Sequence, residues 1–322
     1  MQILVLGGTQ FLGRHAVDVA LVRGHEVTLF NRGRTSPELF PTVEKLRGDR
    51  DGDLAALRGR SFDAVIDTSG YVPRVVTETL DALGDVGHYT FVSSISVYAD
   101  ASTPPTEESP VEQLPEPSED PQVHYGALKA LCEEAVRSRF PDAFVPRPGL
   151  IVGPFDPTGR FTYWPTRIAA EGTVLAPAPT EAPSQVIDAR DLAAWIVAAV
   201  ERGAGGTFNA VGAPQTLGAI LQTCIDVTGS DAELVWIEPA FLLQHDVEPW
   251  LELPLWLPDP DYAGMTSISP ERANREGLTA RPLADTVRDT LAWALGEAAP
   301  ADAPAGLDPD KERRILAAWA ER

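Results

Sequence analysis

The apolar residues of this chain fall into short continuous runs separated by stretches with helical spacing. The first run, Ile3–Leu6, breaks at Gly7-Gly8, and apolar positions resume at Phe11, Leu12, Val17, Ala20 and Leu21. A short continuous run suits a strand buried on both faces, and a spacing of three and four suits a helix. The pattern therefore predicts a strand turning sharply into a helix over Phe11–Arg23. The same alternation recurs. Strands are predicted over His25–Phe30, Val43–Arg47, Phe62–Ile66, His88–Val92 and Ala143–Arg147, and before the last of these Leu128, Leu131, Cys132, Ala135 and Val136 mark a helix. Strands alternating with helices predict an α/β fold built on a doubly wound parallel sheet, with the strand ends lined up along one edge.

After Pro148-Gly149-Leu150 the pattern loosens. A stretch punctuated by Gly and Pro carries Phe161, Tyr163 and Trp164 before the chain returns through Gln185–Asp188 to a helix over Asp191–Arg202. A strand over Thr207–Ala210 and a helix over Thr216–Thr228 follow. Glu238–Tyr262 reads as irregular, Leu283–Leu295 as a last clear helix, and an Ala/Pro linker beyond Gly296 leads to an amphipathic helix over Pro309–Ala320. The organisation predicted is a Rossmann-type sheet domain of residues 1–152 and 186–212, a smaller substrate-binding lobe of 153–185 and 213–296, and a tail of 297–322. One segment interrupts the sheet domain. From Asp100 to Pro121 there are seven acids, six prolines and no Lys or Arg. Such a segment cannot continue a helix and has little to bury, so it reads as a surface loop over the strand ends, either a lid or a disordered insertion.

The glycine turn carries the first chemistry. Gly7, Gly8 and Gly13, with Thr9, Gln10, Phe11 and Leu12 between them, allow a tight turn, close approach of a pyrophosphate to bare backbone, and free N–H groups at a helix start. Asp49 and Arg50, then Thr68, Ser69 and Gly70, end the third and fourth strands on the same edge, where open α/β sheets bind ligands. At the end of the second strand an acid would select NAD. Asn31 stands in that place and Arg32 and Arg34 follow, which favours the 2′-phosphate of NADP unless the two arginines are plain solvated loop charges. Tyr125 and Lys129 stand four apart at the head of a helix, hence on one face. A phenol there can exchange a proton with a carbinol if a neighbouring cation draws its pKa down from about 10. Ser94, at the end of the fifth strand, can hydrogen-bond the reacting oxygen. Tyr71, Ser96, Phe161 and Trp164 join Ser94 as candidate substrate contacts, and Trp250 and Trp256 extend an apolar lining suited to a ring or hydrocarbon body, unless these aromatics are core of the small lobe.

In this order, glycine turn, strand-end serine and then Tyr/Lys, the chain resembles the extended short-chain dehydrogenase/reductases, the superfamily of NAD-dependent epimerases and dehydratases, over residues 1–296. The resemblance implies that Ser94, Tyr125 and Lys129 form the catalytic triad, with Lys129 also on the nicotinamide ribose. It implies that Gly7, Leu12 and Gly13 hold the pyrophosphate, that Asp49 and Arg50 flank adenine, and that Pro148, Gly149 and Leu150 meet the carboxamide. Leu283–Trp293 resembles the family's closing helix. Three positions depart. Gln10 replaces the middle glycine, and the resulting GGTxFLG form resembles an atypical branch that includes the chloroplast stem-loop-binding proteins. Ile95 and Ser96 stand where the family's dTDP-sugar dehydratases carry Asp-Glu, and Ser184 where its sugar-nucleotide epimerases carry a diphosphate-gripping arginine. The resemblance also implies a homodimer through the helices starting near Arg74 and Tyr125, with Val75, Val76, Leu80, Leu83, Leu131 and Val136 as the apolar faces.

A formal net charge of −21 sets a repulsive average field against nucleic acid, so no nucleic-acid partner is expected. There is no run of eighteen apolar residues and no basic-then-apolar leader, which predicts a cytoplasmic protein without a membrane partner. Cys132 and Cys224 sit in helical patterns outside any C-x-x-C and read as core thiols, and the five histidines show no ligand spacing, so no metal is expected. The reading is an NADP(H)-dependent oxidoreductase acting on a small carbonyl or alcohol with Tyr125 as acid/base. The alternatives are a sugar or nucleotide-sugar epimerase that retains NAD(P), and a non-catalytic RNA-binding or redox-sensing protein.

Overall fold

The computed structural model describes residues 1–296 and 305–322. Seven parallel strands form the main sheet: β1 (Gln2–Leu6), β2 (Glu26–Asn31), β3 (Glu44–Arg47), β4 (Phe62–Asp67), β5 (Val86–Phe91), β6 (Phe144–Pro148) and, much later, β11 (Gly206–Ala210). Their order is β11-β6-β5-β4-β1-β2-β3. The chain runs outward from β1 to β3, then crosses back to β4 on the other side of β1. The switch in strand order thus falls between β1 and β4, and a crevice opens beyond their carboxyl ends. Both faces of this sheet are covered, which is why β1 reads as an unbroken apolar run. Ile3, Val5, Leu29 and Ile66 pack under α1 (Phe11–Val22) and α5 (Ala189–Arg202). Leu4, Leu6, Val65 and Phe91 pack on the opposite face under α2 (Pro73–Ala82) and α3 (Tyr125–Arg139).

The smaller lobe is built from short pieces: β7 (Leu150–Val152), α4 (Tyr163–Ala169), β8 (Thr173–Pro177), β9 (Pro183–Ser184), β10 (Val186–Asp188), β12 (Gln215–Thr216), α6 (Leu217–Thr228), β13 (Glu233–Ile237) and α7 (Pro239–Gln244). The two-stranded ladders β7/β10 and β8/β13 are parallel, and β9/β12 is antiparallel. The stretch read as irregular from Glu238 to Tyr262 contains α7 and the start of a 3₁₀ segment at Pro260–Thr266. After α8 (Glu271–Arg275), α9 (Leu283–Ala294) and α10 (Pro309–Ala320) complete the chain. The Ala/Pro linker expected beyond Gly296 lies, over 297–304, outside the described residues. The helix after it packs into the lobe: Leu307 and Ile315 belong to its core, and the buried Glu312 carboxylate accepts from Arg167 Nε at 2.7 Å and Leu175 N at 3.0 Å. Ala273 and Leu278, by contrast, pack into the core of the sheet domain.

The acidic, proline-rich segment has defined neighbours. Tyr98 and Val111 form an antiparallel bridge, with Ala99 N donating to Pro110 O at 3.0 Å and Glu112 N to Val97 O at 2.7 Å. Cations elsewhere in the chain hold its acids: Arg74 donates twice to Glu119, at 2.9 and 3.0 Å, and Arg272 pairs with Glu108. Where the segment crosses the head of α3, Gly126 leaves no room for a side chain, since a Cβ there would overlap Ser96 O and Glu112 Oε2. Gly126→Ala should therefore lower stability by about 1–3 kcal/mol, the range for overpacking a close contact. A melting temperature equal to wild type would show that the segment yields there freely. Of the apolar residues on which the dimer expectation rests, Val76, Leu80, Leu83 and Val136 are buried in the protein's own core, and Val75 and Leu131 are half-buried.

Candidate active site

The glycine turn occupies the switch point. Gly7 and Gly8 take φ of +108° and +86°, in the left-handed region that favours glycine. At Gly13 a Cβ would stand 2.9 Å from Gly8 N and 3.1 Å from Gly8 Cα, so α1 can descend onto the turn only with glycine there. Phe11, at +38°, is a non-glycine residue in this turn with positive φ. The N-cap of α1, Gln10, makes no side-chain cap, so the first N–H groups of a twelve-residue helix face the crevice open to an anion. Thr68 and Ser69 hydroxyls donate to Leu6 O at 3.0 and 3.2 Å, tying the end of β4 to the end of β1. This cradle has the shape and donors for a pyrophosphate, and the residues fit a dinucleotide.

A cleft of about 1740 Å³ runs from the turn across the strand ends to the small lobe. Gly7 to Gly13, Asn31, Arg32, Arg34, Asp49, Arg50, Thr68, Ser69, Tyr71, Ser94, Ser96, Tyr125, Lys129 and Pro148 to Leu150 all line it. Gly70 lies just beneath, its carbonyl accepting from Lys129 Nζ at 2.8 Å; Val92 O accepts from the same ammonium at 2.6 Å. An ammonium has three donors, so one remains for a ligand in the cleft. Lys129 is only 2% exposed. Burial pulls it down to about 8, which leaves it mainly protonated at neutral pH. Its Nζ also lies 4.2 Å from the centre of the Phe91 ring and 5.4 Å from that of Tyr71. Tyr125 stands on the same helical face, its ring 6.4 Å from that of Tyr71. Burial pushes its phenol up to about 12 and Tyr71 adds to the rise, while the Ser94 hydroxyl and the charge of Arg160 act against it. The lowering of the phenol expected from Lys129 is absent: burial sets the direction, and the charge that opposes it is that of Arg160. Ser94 Oγ accepts from Ser96 N and donates to Ser96 Oγ, both at 3.1 Å, which fixes the hydroxyl at the head of the next turn.

Two candidate substrate contacts lie elsewhere. Phe161 and Trp164 are fully buried in the core of the small lobe, with Trp164 Nε1 donating to Pro254 O at 2.8 Å, and neither lines the cleft. Trp256 is buried in the same core, whereas Trp250 reaches the cleft. Apolar residues that close a small lobe and apolar residues that line a ligand site have the same sequence signature, and here the core claims most of them. Arg50 has a further role: its guanidinium spans the Asp67 carboxylate at 2.7 and 2.8 Å and donates to Thr79, anchoring the loop that carries Asp49. Asn31 Nδ2 donates to Gly7 O at 2.9 Å, bracing the turn, and its Oδ1 accepts from Gly33 N and from Arg47.

The family profile for NAD dependent epimerase/dehydratase proteins matches residues 3–211. The chain belongs to this family. Among curated relatives, the chloroplast stem-loop binding protein of 41 kDa b of Arabidopsis thaliana is 26% identical over 264 residues, covering 74% of this chain and 66% of that one. A UDP-glucose 4-epimerase of Erwinia amylovora is 31% identical over 168 residues, 42% of this chain and 48% of that one. The chain thus spans just under two thirds of the first relative and about half of the second. Among solved structures, a UDP-glucuronic acid 4-epimerase from Bacillus cereus in complex with NAD superposes with a TM-score of 0.67 at 16% identity, covering 94% of this chain and 99% of that one. The extended short-chain dehydrogenase/reductase fold of the family is the fold seen here.

Two arginines of this family member, one lining the cleft and one beside it, escape the sequence pattern. Arg47 ends β3 in register with Asn31 of β2 and its guanidinium donates to Asn31 Oδ1, beside the end of β2 but outside the cleft lining. Arg160, in the loop before α4, reaches the opposite side of the cleft. Aligning the strand ends in parallel register would have found the first. Nothing local marks the second.

Proposed function

We propose that the protein is an NADP(H)-dependent oxidoreductase that moves a hydride between the cofactor and the carbonyl or carbinol carbon of a small substrate, with Tyr125 as acid/base. The observation that carries this reading is that Tyr125, Lys129 and Ser94 meet on one wall of the cleft whose far end is the glycine turn. When bound, the nicotinamide supplies or accepts the hydride and, oxidised, adds positive charge beside the phenol. Tyr125 gives its proton to a substrate oxygen in reduction and takes it back in oxidation. Ser94 holds that oxygen, and Lys129 uses its remaining donor on the ribose while its two carbonyl bonds keep it in place. Fluorescence titration with NADPH and NADH, followed by a carbonyl panel on the tighter cofactor, tests the reading; binding of neither would overturn it.

The preference for NADP(H) is supported by Arg32 and Arg34 in the cleft and Arg47 on Asn31 beside it, with no acid in the place of Asn31. Arg32→Ala should weaken NADPH by about tenfold, the scale of one lost charge-assisted phosphate contact, and leave NADH nearly unchanged. Equal losses for both would reject the preference. A second reading, a sugar epimerase that oxidises and re-reduces one carbon without releasing cofactor, is favoured by the UDP-sugar epimerases among its relatives. Dinucleotide retained through purification and released only on denaturation would select it. RNA binding without turnover, suggested by the name of the Arabidopsis relative, is disfavoured by the net charge of −21. Among the described residues no helix is long and apolar enough to cross a membrane.

A further inference from the structure

The chain has 47 acids for 26 lysines and arginines. Most buried or half-buried arginines accordingly find a carboxylate: Arg50 has Asp67, Arg147 has Glu133, Arg167 has Glu312, Arg190 has Asp188 and Arg281 has Asp191. Among the described residues Arg14 and Arg160 do not, and of the two it is Arg160 that lines the cleft. It is half-buried in the wall of the cleft, and among the described residues no carboxylate lies within ion-pair distance and no acceptor takes a hydrogen bond from its guanidinium. Asp156, the acid four residues before it, is occupied at home: its Oδ1 accepts from Thr158 N at 2.8 Å and from Thr158 Oγ1 at 2.7 Å. The Trp250 ring lies beside the guanidinium, its centre 5.6 Å from Arg160 Cζ. Burial raises the Asp156 carboxyl, and the charge of Arg160 acts against that rise without pairing with it. A guanidinium held partly out of water with its donors unspent is unfavourable unless an anion completes it. Its charge reaches Tyr125, since it is one of the two influences that oppose the rise of the phenol.

Resting on the oxidoreductase reading above, we infer that Arg160 is the substrate's anion site: the substrate is a small oxyanion, a carboxylate or phosphate monoester, whose charge pairs with Arg160 while its reacting oxygen meets Tyr125. The body between the two groups lies against Trp250. A planar fork of donors suits both oxyanions, so the two differ in the test and not in the site. The six acids that also line the cleft, Asp49, Asp51, Asp100, Glu112, Asp156 and Asp261, oppose a highly charged ligand, which favours a single small anion.

The test is calorimetric titration of the NADP⁺-saturated protein with benzoate, phenyl phosphate and, as the neutral match, benzyl alcohol. At least one anion should bind tenfold or more tightly than the alcohol, and which one does separates carboxylate from phosphate. Arg160→Gln should remove that advantage while leaving affinity for NADP⁺ and for benzyl alcohol within about twofold; Arg160→Lys should restore part of it. In the wild type the anion's affinity should fall with added salt. Anions binding no more tightly than the alcohol or not at all, or an advantage that survives Arg160→Gln, would overturn the inference and leave the oxidoreductase reading standing. Failure of NADP⁺ to bind would overturn both.

Discussion

Tyr125→Phe should lower turnover by about a hundredfold or more while NADP(H) affinity stays within about twofold. The substitution keeps the ring and its packing beside Tyr71, 6.4 Å between centres, and removes only the transferable proton. Lys129→Met should damage both quantities, because on the proposed oxidoreductase reading that side chain would hold the ribose and support a charged phenol beside it. Ser94→Ala should lower turnover with little change in cofactor affinity. A pH series adds an independent readout. With Lys129 at about 8 and protonated below that value, NADP(H) affinity should decline as pH rises through about 8 in the wild type and stay flat in Lys129→Met. The deciding data are Kd and kcat for each variant, with circular dichroism to match folding. Near-normal turnover by Tyr125→Phe on a true substrate would mean that another acid serves the reaction.

How much of this site could be read from the chain depends on the range of the contacts that build it. Runs such as Ile3–Leu6 carry their own answer, because a strand covered on both faces must be apolar throughout; the strands follow from them, whereas the strand order and its switch point are fixed only by the assembled sheet. Tyr125 and Lys129 are legible for the same reason, since four residues is one turn of one helix. Phe161 and Trp164 were not. They look like cleft aromatics until the small lobe is assembled around them from segments as far apart as Leu150 and Ile315. Arg160 lies in a loop whose course depends on that assembly, so no periodicity marks it. The segment from Asp100 to Pro121 shows the limit in composition: its acids suggested solvent, yet Glu107, Glu108 and Glu119 each meet a partner supplied by a distant element.

Glu133 was legible in principle and shows what holds that segment down. It follows Tyr125 and Lys129 at the same spacing of four, lies 1% exposed and is, with Lys129, one of two buried charged groups on the helix. Its carboxylate takes both arms of Arg147, from Nε at 2.9 Å and Nη2 at 2.7 Å. Burial pushes this carboxyl up, but the Arg147 hydrogen bonds and charge more than offset it and leave the group below its ordinary value. Arg147 in turn donates to Glu107 O and stacks over Tyr98, 4.9 Å from the ring centre, while Glu107 accepts from Asn209 N at 2.9 Å. Glu133→Gln leaves a buried guanidinium without its counter-charge and should cost about 3–5 kcal/mol of stability at neutral pH. A carboxylate whose folded-state pKa is depressed contributes stability above its unfolded value of about 4.3 and loses it as pH falls through the lower folded value. The gap between wild type and Glu133→Gln should therefore narrow on acidification. Glu133→Met with Arg147→Met removes both charges and should recover most of the loss. Since Arg147 and Asn209 both hold Glu107, Glu133→Gln should also speed proteolytic cleavage within 100–121 relative to the rest of the chain. Denaturant unfolding across pH, with cleavage mapped by mass, gives both answers. A gap that stays constant with pH would show that the loss comes from packing and not from the stranded charge.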